Sequence, residues 1–181
     1  MKFKVAALAG AVAVAMATGA QANDLNKIDS VPSYQKYSPW YTQGQANIKA
    51  KPFAALSKSR NVILFVGDGM GVSTITAARI LEGQLKGMQG EENDLSFDLF
   101  PYTGMAKTYN VDAQTPDSAG TMTAMMSGVK TDVGVIGVSE EIERGDCSTV
   151  AGNELVTALE LAEIGGKATG IVSTARITHA T

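Results

Sequence analysis

The sequence has few of the side chains that form cross-links or bind metals: one cysteine, Cys147, and one histidine, His179, in 181 residues. A single cysteine excludes a disulfide bond within the chain, so its partner is expected on another chain or on sequence outside these residues. Internal repeats and low-complexity tracts are also absent. The composition is neither disordered nor collagenous, and the chain is long enough to bury a core.

Basic residues are not in excess either. Lys and Arg together number 15 and Asp and Glu 18, which gives a formal net charge of −3. An acidic balance disfavours binding to nucleic acid or to an anionic membrane surface, because both partners are negatively charged. We therefore expect neither as a partner.

The amino terminus has the pattern of a secretory signal peptide. Lys2 and Lys4 precede an apolar run over residues 5–17, and Ala20 to Ala22 match a small-x-small cleavage pattern. The run is too short for a membrane anchor. Cleavage after Ala22 predicts a periplasmic or secreted chain, and it changes the charge from −3 to −5, because 15 − 2 = 13 basic residues then face 18 acidic ones.

Residues 23–60 are rich in proline and aromatic side chains and contain no clear periodicity. They predict an extended arm that lies on another surface with its aromatic side chains as anchors. A loosely held leader before the first strand is the alternative.

Residues 61–181 alternate between apolar segments and amphipathic ones. Three apolar segments predict strands: residues 62–66, 103–111 and 168–173. Three other segments predict helices: residues 73–81 with Ser73 as cap, a helix from about Ser118 that ends at Gly128, and residues 153–164, with a loop at 86–98. The pattern predicts an α/β fold with a doubly wound, mainly parallel sheet and flanking helices.

Ser118 lies where a turn enters a helix. Thr115 or Asp117 can cap free backbone N–H groups, and Pro116 suits a first turn. A hydroxyl at this place faces helix N–H groups and the positive end of the helix dipole, as a phosphate-accepting nucleophile would require. The alternative is a capped helix without chemistry.

Asp68 lies in the glycine turn after the first predicted strand. A dinucleotide-binding turn is a rival interpretation, but its third glycine is expected at position 72, where the sequence has valine. A carboxylate would repel a pyrophosphate and would suit a cation. A short polar residue that merely favours the turn is the alternative.

His179 and Thr181 follow the last predicted strand, two residues apart, so their side chains can face the same side. Asp68 is expected at the same edge of the sheet. A metal-ligand role and a structural role for the histidine both remain open.

Residues 61–80, 115–138 and 166–181 resemble, in the same order, the site segments of the bacterial alkaline phosphatases. The resemblance implies an alkaline-phosphatase-like fold and a phosphatase that hydrolyses small phosphate monoesters. It also implies two zinc ions, a third metal site that is usually magnesium, and a homodimer in which residues 23–60 embrace the second subunit.

The same resemblance implies roles for individual residues. Ser118 resembles the serine that attacks phosphorus and contacts zinc, and Asp117 its neighbour, which orients a phosphate-binding arginine. Asp68 resembles the aspartate that bridges a zinc and the third metal, and Thr181 a hydroxyl ligand of that metal. His179 stands where some members have aspartate and others histidine, which leaves open whether the third site prefers magnesium or zinc, since imidazole favours zinc.

One histidine cannot supply two zinc sites, because each uses three or more protein ligands. We therefore expect these residues to be the amino-terminal part of a longer enzyme that is inactive without the remainder. A sulfatase is disfavoured, since the Cys/Ser-x-Pro-x-Arg context is missing around Ser118. A phosphodiesterase of the same superfamily and a non-catalytic exported binding or structural domain remain alternatives.

Overall fold

The structure, a computed structural model, describes residues 31–50 and 60–181. The predicted signal peptide lies outside these residues. The helices in chain order are α1 (Ser33–Lys36), α2 (Pro39–Lys49), α3 (Val72–Leu85), α4 (Ser118–Ser127) and α5 (Ala158–Ile164), with a short 3-10 helix at Cys147–Thr149 before α5. Across the described ranges, no helix combines the length and the apolar character needed to cross a membrane.

Residues 31–50 are largely helical, which corrects the prediction of an extended arm. Pro39 is the first residue of α2. Proline was expected to keep this segment extended, but at the first position of a helix its missing N–H would be unpaired in any case, and its fixed φ suits the helix. The proline therefore starts an element here.

The described part of the predicted arm, residues 31–50, lies against other residues of its own chain, while residues 23–30 and 51–59 lie outside the described ranges. The Trp40 indole Nε1 donates a hydrogen bond of 3.2 Å to Glu140 Oε1, and its ring meets the Tyr109 ring edge-on at a centroid distance of 6.1 Å. Lys130 Nζ lies 3.9 Å from the centroid of the same Tyr109 ring. At least one of the predicted aromatic anchors therefore contacts the chain's own body, and the predicted contact with a second subunit stays a prediction.

The glycine turn and the helix after it form as predicted, although the cap differs. Gly69 has a φ of 64°, a left-handed conformation that glycine adopts without steric cost. The N-cap of α3 is Gly71, and no side chain caps it, so the predicted cap by Ser73 is wrong. The glycine turn that contains Gly69 ends at Gly71, and α3 begins directly after it without a side-chain cap.

The loop after α3 folds back onto that helix. A Cβ atom on Gly83 would lie 2.6 Å from Gly90 Cα, so the two backbones are in contact. Asn93 is buried and donates its side-chain amide to Arg79 O at 3.1 Å and to Glu82 Oε2 at 2.7 Å. The predicted loop is therefore fastened to α3 by a buried amide.

The three predicted strands are not formed in the part of the chain that the structure describes. There the pairing outside helices is an isolated antiparallel bridge between Val138 and Glu154. Val62 and Phe65 are 85% and 90% exposed. A strand forms only where a neighbouring strand takes its backbone donors and acceptors, and an apolar run indicates burial without specifying that neighbour. The doubly wound sheet therefore stays a prediction.

Most of the buried hydrophobic side chains in the described ranges lie on α4 or in the sequence that follows it. The buried hydrophobic side chains in the described ranges are Val31, Ala119, Val129, Val135 and Leu155. Thr123 is buried as well; its hydroxyl donates to Ala119 O at 2.9 Å and accepts from Gly137 N at 3.0 Å. Small residues on α4 allow this close approach of the following backbone.

The end of α4 and the start of α5 follow local signals. Gly128 caps α4 in the left-handed conformation with a φ of 75°, as predicted. α5 begins at Ala158, five residues later than predicted, because Thr157 and Glu160 form a capping box in which each side chain accepts from the other's backbone N–H. This signal was missed in the sequence.

Candidate active site

The Asp117 side chain caps the N-terminus of α4. Its Oδ1 accepts hydrogen bonds from Gly120 N at 3.0 Å and from Asn110 Nδ2 at 2.7 Å, and its Oδ2 accepts from Gly134 N at 2.8 Å. Burial raises the pKa of Asp117, but the hydrogen bonds from Gly120, Asn110 and Gly134 outweigh it, and the pKa lies below its usual value. Asp117 is therefore an anion at neutral pH whose two oxygens are both engaged.

The role implied for Asp117 was to orient a phosphate-binding arginine. Among the residues that the structure describes, its partners are two backbone N–H groups and the Asn110 amide. The structure therefore shows how the position of Asp117 is fixed, and the arginine role stays a prediction.

Ser118 is the first residue of α4 and is half-buried. Its hydroxyl has no hydrogen-bond partner in residues 31–50 and 60–181, whereas its carbonyl accepts a long bond of 3.4 Å from the Thr121 hydroxyl. Because the helix N-terminus carries partial positive charge, an anion bound at this hydroxyl would be stabilised. The hydroxyl is therefore unpaired within the described ranges, at a place where negative charge is favoured.

Asn110 holds this helix start from the side, and the sequence did not single it out. It is 2% exposed, and a Cβ atom on Gly120 would lie 2.9 Å from its Nδ2. Glycine inside a helix costs about 1 kcal/mol relative to alanine. A glycine at position 120, in the first turn of α4, was therefore the one sign in the sequence that another group packs closely against this turn. The partner that approaches could not be read from that signal.

A bracket of three residues supports the loop that contacts Asp117. Arg144 donates to Val133 O at 2.6 Å and to Asp112 Oδ2 at 3.3 Å, and Asp112 Oδ1 accepts from Val133 N at 2.9 Å. Val133 precedes Gly134, whose N–H binds Asp117. Asp112 and Arg144, by binding Val133, therefore fix the position of Gly134 N, one of the three donors to the Asp117 carboxylate.

Asp68 and Thr181 meet although 113 residues separate them in sequence. The Thr181 hydroxyl donates a hydrogen bond of 2.9 Å to Asp68 Oδ2, and Thr181 N donates to His179 Nδ1 at 3.3 Å. The sequence predicted these three residues at one edge. The structure brings them together, and no hydrogen bond among the described residues connects Ser118 with them.

The donors around Asp68 fit part of a metal site. A carboxylate and a hydroxyl are ligands that magnesium accepts, and their oxygens already lie close to each other. His179 accepts the Thr181 N–H at Nδ1, so that nitrogen is already engaged. No group of three or more His, Cys, Asp or Glu side chains that could hold a metal ion occurs in the described ranges.

Comparison with known proteins gives a consistent picture. The family profile described as alkaline phosphatase matches residues 59–181. The chain is 50% identical over 156 residues to the tissue-nonspecific isozyme of alkaline phosphatase from Homo sapiens, covering 83% of this chain and 30% of the human protein. The isozyme from Gallus gallus is 57% identical over 123 residues, covering 68% and 24%.

An alkaline phosphatase from Gadus morhua is 53% identical over 125 residues, which cover 69% of this chain and 26% of the cod protein. The chain thus spans about 30% of the length of the curated relatives that it matches. The predicted resemblance to alkaline phosphatases is confirmed, while these vertebrate relatives do not test its bacterial branch.

Proposed function

The chain belongs to the alkaline phosphatase family, and from this premise we propose that it contributes Ser118 as the nucleophile of an exported, metal-dependent phosphatase that hydrolyses phosphate monoesters. The observation that carries this proposal is the free, half-buried Ser118 hydroxyl at the first position of α4. The family has the alkaline-phosphatase-like fold, in which we place residues 61–181 within a doubly wound α/β layer.

The reaction proceeds in two displacements at phosphorus. The Ser118 oxygen attacks the phosphorus atom and the bond to the leaving oxygen breaks, so that a phosphoserine forms; the serine proton leaves to solvent, and the leaving oxygen takes up a proton from solvent as the alcohol departs. Water then attacks the phosphoserine, the bond between the Ser118 oxygen and phosphorus breaks, the serine oxygen takes up a proton, and inorganic phosphate departs. The N-terminus of α4 stabilises the negative charge of the phosphoryl group throughout.

Three hydrogen bonds offset part of the negative charge of Asp117. A carboxylate beside the nucleophile would repel a phosphate dianion, but three N–H donors already bind its two oxygens. It therefore acts as the cap that fixes the start of α4, and a phosphate-binding arginine remains a further proposed partner.

We propose zinc in two sites and magnesium, or zinc, in a third. Asp68 and Thr181 would hold the third ion, with His179 beside them and Ser118 facing a zinc. When bound, such ions lower the pKa of a nucleophilic hydroxyl and neutralise phosphate charge. We also propose that the protein is exported after cleavage at Ala22, that it is periplasmic or secreted, and that it forms a homodimer.

Labelling the full-length protein with radioactive phosphate at low pH tests the proposed nucleophile, because a phosphoserine is expected to accumulate there. We expect stoichiometric label on Ser118 with zinc and magnesium present, and none in Ser118→Ala. Ser139→Ala, which removes a serine hydroxyl bonded to Asn153 away from the helix start, is the matched control and should label normally. Unlabelled protein with bound metals would favour the non-catalytic alternative.

A further inference from the structure

Gln35, on the four-residue helix α1, is the most completely bonded side chain of the arm. It is 1% exposed. Its Nε2 donates to Ser127 O at 2.8 Å and to Val156 O at 2.9 Å, and its Oε1 accepts from Val156 N at 2.8 Å. Glutamine is mostly exposed in proteins, so a buried one with both donors and its acceptor engaged makes specific contacts.

The Ser127 carbonyl that Gln35 binds is the last one of α4. The final four carbonyls of a helix have no partner inside it and need one from elsewhere. Gln35 therefore binds the end of α4 opposite to Ser118. With ten residues in α4, the two ends lie about 14 Å apart at 1.5 Å per residue.

Val156 precedes Thr157, the N-cap of α5, so the same side chain also holds the start of the helix that contacts α4. Two neighbouring contacts fix the arm around Gln35. The Tyr34 hydroxyl donates to Glu154 O, and Trp40 donates to Glu140. One amide thus joins the end of α4 to the start of α5 from within an anchored segment.

We propose that Gln35 is a positioning residue for the Ser118 nucleophile, because its amide fixes the far end of α4 and so determines where the hydroxyl at the near end lies. This inference rests on the proposed function. A helix moves nearly as a rigid rod, and a displacement of about 1 Å at a reacting group can cost on the order of 100-fold in rate.

Gln35→Glu in the full-length protein is the test. The carboxylate has no N–H to donate, so the oxygen that replaces Nε2 would place negative charge against the carbonyls of Ser127 and Val156. Gln43→Glu is the matched control: it makes the same change on the exposed face of α2. We expect rapid-quench measurements to show phosphoserine formation about 10–100-fold slower in Gln35→Glu and unchanged in Gln43→Glu.

A merely structural role would lower the melting temperature and the folded fraction but not the rate per folded molecule. The rate is therefore divided by the amount of phosphoserine that accumulates at low pH, which counts the folded molecules. For a positioning role, kcat per folded molecule should fall while KM changes less. Gln35→Asn keeps the amide but is one methylene shorter. Its rate of phosphoserine formation should be intermediate, and it replaces Gln35→Glu as the test if that variant does not fold.

The outcomes separate the two proposals. If wild-type protein labels on Ser118 and the folded Gln35 variants phosphorylate within twofold of its rate, the positioning role is overturned and the proposed function stands. If wild-type protein carries no label on Ser118, the proposed function fails first, and the positioning role fails with it.

Discussion

Gly120→Ala tests whether Asn110 and Asp117 hold the start of α4 as described. The new Cβ would lie 2.9 Å from Asn110 Nδ2 and 3.0 Å from its Cγ. Asn110 is buried, so it cannot move into solvent without breaking its 2.7 Å bond to Asp117. The substitution should therefore both overpack the site and remove a hydrogen bond to a charged group.

The magnitude follows from three opposing contributions. Alanine improves helix propensity by about 1 kcal/mol. Overpacking costs about 1–3 kcal/mol, and loss of a hydrogen bond to a charged group about 1.5–3 kcal/mol. We therefore expect Gly120→Ala to lower the free energy of unfolding by about 1.5–5 kcal/mol.

Urea unfolding followed by circular dichroism measures this change. Gly44→Ala is the matched control, since Gly44 lies inside α2 and its Cβ would meet nothing within 4 Å. It should stabilise the protein slightly. Adding Asn110→Ala to Gly120→Ala should recover part of the loss, because the clash disappears. If Gly120→Ala were as stable as Gly44→Ala, the described contact with Asn110 would be refuted.

Three further predictions concern charge, metal and activity. Asp117→Asn should cost about 1–2 kcal/mol of unfolding free energy at pH 7. The folded-state pKa of Asp117 lies below its ordinary value of 3.8. The difference in unfolding free energy between wild type and variant, measured by urea titration, should therefore be complete above about pH 5 and should disappear as the pH falls through the folded-state pKa. Thr181→Val should weaken magnesium binding about 10-fold, seen as a smaller magnesium-induced rise in Tm of the full-length protein, whereas Thr149→Val should not. The 181 residues alone should not hydrolyse p-nitrophenyl phosphate with zinc and magnesium, because one histidine cannot supply two zinc sites; turnover abolished by Ser118→Ala would contradict this.

The start and end of α4 could be predicted because both are local signals. An acidic residue before Ser118 and a glycine at position 128 act through hydrogen bonds and φ angles that involve only nearby residues. The capping box of α5 is equally local, and its omission displaced the predicted start of that helix.

Whether residues 62–66 pair as a strand could not be predicted in the same way. An apolar run indicates that a segment is buried, but it does not specify which other segment it packs or pairs with. Gln35 and Asn110 were missed for a related reason. Each is buried by partners distant in sequence, and a buried amide has no periodic pattern. The meeting of Asp68 with Thr181 was predicted, since both were assigned to the same edge from their positions after apolar segments.

The bonds of Gln35 also bear on the order of events during biosynthesis. Its partners Ser127 and Val156 lie 92 and 121 residues later in the sequence. A chain that has emerged from the ribosome only as far as the end of α4 has already made Ser118, yet it lacks Val156 and hence two of the three bonds of this amide. α1 can therefore dock fully only when synthesis has passed residue 156, and closing so long a loop is an entropically costly, late step. Helix α4 is therefore complete in sequence well before Gln35 can bind its end fully.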